Sequence, residues 1–82
     1  MYDKKVTECF LKNQTKLFPK PVATTDAEAV AFLEDCFAVV LTGKQEVIDY
    51  FEEEGLDYDK KTILEADEVF DIGDGRYLVI EA

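Results

Sequence analysis

Apolar and polar residues alternate along this chain with two different periods, and each period predicts an element. The clearest helical stripe is Val47, Ile48 and Phe51, with Asp49, Glu52 and Glu53 outside it. Gly55 predicts its stop, as the left-handed residue after the last turn, with Leu56 folding back onto the helix end. An earlier helix is predicted over 26–35, carrying Ala29, Val30, Phe32 and Leu33. Thr25-Asp26-Ala27-Glu28 opens it as a capping box, in which Thr25 accepts from the Glu28 N–H and Glu28 reaches back to the N–H of Thr25.

The period of two is strongest at the end of the chain. Residues 68–72 and 76–81 flank Gly73-Asp74-Gly75 and predict a β-hairpin. A three-residue loop puts Phe70, Ile72, Leu78 and Ile80 on one face, and Val69, Asp71, Tyr77, Val79 and Glu81 on the other. Two strands alone are marginal, so a third is required.

Two segments could supply that strand. Residues 36–41 fit either an extension of the first helix or a strand. Phe-Ala-Val-Val-Leu is rich in strand formers, and Thr42-Gly43-Lys44-Gln45 reads as a second capping box, so strand is preferred. Residues 3–17 are also double-valued. Tyr2, Val6, Phe10, Asn13 and Leu17 fall near helical spacing, yet Val6, Glu8 and Phe10 against Thr7, Cys9 and Leu11 fit a strand, and Val6-Thr7 tilts the reading that way. Asp59 is expected to cap a short helical turn within 60–66, with Ile63 and Leu64 inward. The expected fold is α+β: a small single-layer sheet, made of the C-terminal hairpin and one or two further strands, packed against two main helices. One domain spans 1–82. It has an N-terminal segment 1–18, a Pro-containing connection 19–24 around Pro19 and Pro21, and a body 25–82.

Charge divides the chain along the same line. The net charge is −10, yet residues 1–25 carry five Lys against Asp3 and Glu8, a net of +3, and residues 26–82 a net of −13. The apolar fraction of 48% and ten aromatic residues place this charge on a folded body, not a disordered chain. An acidic body argues against direct nucleic-acid binding, which needs clustered cations. No stretch approaches a membrane span, and the first ten residues lack a secretory apolar run. A cytoplasmic location with Cys9 and Cys36 reduced is therefore expected.

Candidate chemistry is sparse. The chain holds no His, Ser or Trp and a single Arg, which removes the commonest general base and any serine triad. Cys9 and Cys36 read as small buried hydrophobes. Asp57-Tyr58-Asp59 followed by Glu68 imitates a calcium loop, but Lys61 and Thr62 occupy the places of the fifth ligand and the turn glycine. Thr42-Gly43-Lys44 suggests a phosphate loop, but Gln45 and Ala38 break that pattern. No catalytic group, cofactor or metal site is assigned. The densest feature is the carboxylate cluster Glu52, Glu53, Glu54, Asp57 and Asp59, a candidate partner-binding surface.

These features predict a non-catalytic interaction or regulatory module acting on a protein partner through its surface. A homodimer is one form, with the basic segment of one copy meeting the acidic body of another. Two alternatives differ in class. One is an acidic nucleic-acid mimic that inhibits a basic protein. The other is a small-ligand or weak metal binder in which Phe70 and Tyr77 line a pocket and Arg76 anchors an anion.

Overall fold

In the computed structural model, which describes residues 2–81, the first segment is a helix. Helix α1 runs Lys4–Asn13 and corrects the strand expected there. Its start is fixed by Asp3, whose carboxylate accepts from the Val6 N–H at 3.0 Å. Val6, Thr7, Cys9 and Phe10 then fall on one buried stripe. The local strand preference of Val6-Thr7 yields because Thr7 is doubly bonded in the helix: its hydroxyl donates to the Lys4 carbonyl and lies 3.0 Å from the Asp26 carboxylate. Propensity is a weak prior where a stripe can be buried.

The Pro-containing connection is tied back onto α1. Gln14, 4% exposed, accepts from the Val22 and Ala23 N–H groups and donates to the Leu11 and Ala23 carbonyls. Helix α2 (Asp26–Asp35) starts as expected, with Thr25 accepting from the Glu28 N–H. Glu28 bonds chiefly the N–H and hydroxyl of Thr24, with the N–H of Thr25 a lesser partner. After a tight turn at Phe37, β1 covers Val39–Thr42, starting three residues later than the expected 36–41 and ending one later, because 36–38 are spent closing α2.

Thr42 precedes α3 (Gly43–Glu53), but its hydroxyl makes no cap bond. Glu46, not Gln45, reaches back to the Thr42 N–H. Gln45 bonds Asp49 instead. Gly55 ends α3 at φ +69°, with the Leu56 N–H returning to the Phe51 carbonyl. The short turn near Asp59 narrows to a single 3-10 turn at Ile63–Glu65, in which Ile63 is buried and Leu64 half-buried.

The hairpin forms in the expected register. β2 (Val69–Asp71) pairs antiparallel with β3 (Arg76–Val79), with Val69 opposite Val79 and Phe70 opposite Leu78. β1 adds antiparallel to the other side of β3, so the order is β1-β3-β2 and the last strand is central. The fold is thus a small α+β one, but helices cover both faces of the sheet. On one face α1 and α2 pack over Phe70, Leu78 and Ile80. Phe10 lies 0% exposed there, stacked on Phe32 at 5.5 Å and close to Phe70 at 6.2 Å, while Phe18 meets Phe32 edge-on. On the other face α3 and Ile63 pack over Val69 and Val79. The sequence expected two main helices; the third is the N-terminal segment. Among the described residues no helix is long and apolar enough to cross a membrane.

Candidate functional site

The end of α3 and the irregular segment after it enclose a cleft of ≈ 460 Å³. Its floor is apolar: Phe51 from α3, Leu56 from the reversal after Gly55, Ile63 from the 3-10 turn, and Ala66. Tyr58 forms one wall. Its ring meets Phe51 edge-on at 6.1 Å, and its hydroxyl donates to Glu52 at 2.8 Å. That neighbouring carboxylate raises the Tyr58 pKa, so the phenol stays protonated and keeps the segment fastened to the helix.

The rim is anionic. Asp57, Asp59, Glu65 and Glu68 line the cleft, and no Lys or Arg among the described residues does. Asp59 also shapes the backbone, accepting from the Lys61 N–H at 2.8 Å. Local bonds from Thr62 to Asp59, Glu65 to Thr62 and Val69 to Ala66 bring Glu65 and Glu68 round to the same opening as Asp57.

The structure therefore divides the carboxylate cluster read from the sequence. Asp57 and Asp59 enter the cleft, Glu52 holds Tyr58, and Glu53 and Glu54 stay exposed on the helix end outside it. Glu65 was not singled out, and Glu68 only as the last position of the calcium-loop imitation. They lie on the 3-10 turn and the irregular chain after it, where no periodicity marks a shared face. Asp57, Asp59 and Glu68, the mimics of a calcium loop, do line one cleft. Yet among the described residues no three His, Cys, Asp or Glu side chains converge closely enough to hold a metal ion.

A second depression, of ≈ 340 Å³, lies between α1 and the hairpin loop, and its charges are mixed. Lys5 and Lys12 stand among Glu8, Asp71 and Asp74, with Lys5 at 3.9 Å from Asp74. Cys9 sits at its base, donating its S–H to the Asp71 carbonyl at 3.3 Å. Burial raises the pKa of both Cys9 and Cys36, which keeps them as thiols and lowers their nucleophilicity. Both cysteines are free.

Arg76 is not available as an anion anchor. It forks onto Asp74 at 2.8 and 3.0 Å and also reaches Asp3 at 3.0 Å. Its hydrogen bonds hold Asp74 below the ordinary carboxylate range; Asp3 is lowered first by its bond from the Val6 N–H and then by Arg76. Phe70, 1% exposed, is core and not pocket lining. The basic N-terminal segment is spent largely within its own chain. Lys4 reaches Asp26, Lys5 reaches Asp74, and Lys16 donates to the Val69 carbonyl at 2.6 Å.

Chemically, an apolar floor inside a carboxylate rim accepts an apolar group flanked by cations. Groups with shifted pKa values lie mostly elsewhere, in structural pairs; Tyr58 is the one lining the cleft among the described residues. Compared with family models, with curated proteins and with solved structures, the chain matches none.

Proposed function

We propose that this chain is a non-catalytic interaction module that binds a cationic segment of a protein partner, with one apolar side chain of that segment seated in the cleft beside Tyr58. The observation that carries this reading is the pairing of an apolar floor with four rim carboxylates and no lining cation among the described residues. The net charge of −10 adds long-range attraction for such a partner and raises its encounter rate at low salt. Lys60 and Lys61, both exposed, interrupt the run of carboxylates between Asp59 and Glu65. That interruption favours a local cleft over an extended imitation of a phosphate backbone.

Calorimetric titration of the full chain with a short peptide, one Leu or Phe between lysines, tests the reading. Binding is expected, weakening as salt rises. A peptide with glutamates in place of the lysines should give no heat. Equal binding of both peptides, or binding of neither at low salt, would overturn the proposal.

A further inference from the structure

The two edges of the sheet are finished differently. In β3 the even-numbered residues bond to β2: the Ile72 N–H donates to the Arg76 carbonyl at 3.0 Å and the Ile80 N–H to the Glu68 carbonyl at 2.9 Å. The odd-numbered residues face β1, and the bond from the Gly43 N–H to the Gly75 carbonyl continues that ladder. Antiparallel alternation then turns Val69 and Asp71 outward on β2, and Ala38, Val40 and Thr42 outward on β1.

The β2 edge is closed except at the Asp71 N–H, which has no partner among the described residues. The Val69 N–H bonds the Ala66 carbonyl, Lys16 covers the Val69 carbonyl, and Cys9 covers that of Asp71. The β1 edge is closed only at its ends. Ala38 is bonded to Leu33 and Tyr2, and the Thr42 N–H to Glu46. Between them, nothing among the described residues bonds the outward N–H or C=O of Val40. An open rung on an edge without charge, Pro or bulge is a site for another strand.

Beside it stands Phe37, 84% exposed at φ +56°. It occupies the position after α2 where glycine is usual, closed by bonds from Phe37 to Glu34 and from Ala38 to Leu33. A bulky side chain there costs roughly 1–2 kcal/mol, and within its own chain the exposed ring returns little contact.

We infer that β1 is a self-association edge, at which a second copy pairs antiparallel about a two-fold axis through Val40. The register is self-complementary. Val40 meets its own counterpart, with two backbone hydrogen bonds between them, and Val39 meets the partner's Leu41, so the central pairs are apolar, with Ala38 and the partner's Thr42 flanking them. Phe37, just before β1, comes near the partner's Gly43, just after it, where nothing lies within 4 Å of the place a Cβ would take. Exposed Glu34 and Asp35 beside Phe37 come next to the partner's Lys44, which is also exposed, and none of the three is ion-paired among the described residues. Charges of opposite sign thus meet twice across the axis. This surface shares no residue with the cleft.

Sedimentation of the full chain from micromolar to millimolar concentration tests the inference, run at high salt so that repulsion between two −10 bodies is screened. A weak dimer is expected, with hydrogen exchange at the Val40 amide slowing as concentration rises. Phe37→Gly relieves the backbone strain. It should raise the melting temperature while weakening the dimer roughly tenfold. Val40→Pro removes the outward N–H without touching a β3 bond, and should leave a monomer. If that variant does not fold, Phe37→Gly decides alone. A wild-type chain that stays monomeric throughout, or a dimer indifferent to Phe37→Gly, would overturn the inference.

Discussion

The two faces of the sheet bury comparable strand residues under different covers. Over Phe70, Leu78 and Ile80 lie two helices and a cluster of phenylalanine rings, with Lys4 and Asp26 paired across α1 and α2, and Arg76, Asp3 and Asp74 joining α1 to the hairpin. Over Val69 and Val79 lie one helix and an irregular segment held by short-range bonds, and among the described residues the carboxylates on its rim have no cation beside them in the cleft. The first arrangement spends its charges internally and closes. The second leaves both apolar surface and charge for something else to use. On the proposed reading, one face serves stability and the other recognition.

Breaking the closed face should have the largest effect. Phe10→Ala removes a fully buried ring from the stack and is expected to cost about 3–5 kcal/mol, a large share of the stability of a domain this size. Chemical denaturation would measure it. The helix starts sharpen the comparison at smaller scale. Thr25→Ala, on the closed face, loses a real cap and should cost about 1 kcal/mol, whereas Thr42→Ala, at the start of α3, loses no side-chain cap bond and should cost less.

Acid should find the closed face first. Asp3 and Asp74 have folded pKa values below their ordinary value of 3.8, so their contribution is complete above that pH and is lost as pH falls through the depressed values. Melting temperature should therefore fall on strong acidification, and less steeply in Asp74→Asn. On the alkaline side the sign reverses. Tyr50, desolvated and bonded to Glu81 at 2.6 Å, is raised above its ordinary value of 10.0, so its contribution is complete below that and lost as pH climbs through the raised value. The smallest stability effect belongs to the open face. Asp57→Asn with Asp59→Asn should shift stability by no more than about 0.5 kcal/mol, while lowering affinity for the lysine-containing peptide roughly tenfold.

Helix α2, helix α3 and the hairpin were legible because each carries its own local signals: Thr25 and Glu28, Gly55, and Gly73-Asp74-Gly75. Helix α1 was not. Its stripe was visible, but the β-branched pair Val6-Thr7 pulled the other way, and what decides is burial against strands some sixty residues later in the chain, such as Cys9 against Asp71. The cover on both faces was hidden for the same reason. At the site, charge density pointed to Asp57 and Asp59, the imitated calcium loop to Glu68 as well, and Leu56 and Ile63 were expected inward. Their joining with Glu65 and Ala66 into one cleft is the work of turn bonds that leave no periodic trace.

The most direct test of the division between faces is an amide-resolved NMR titration of the full chain with the lysine-flanked peptide. Shifts confined to 51–68, at the cleft of α3 and the following segment, are the expected result. Shifts centred on Lys5, Lys12 and Gly73 in the mixed-charge depression, or none at saturating peptide, would contradict it.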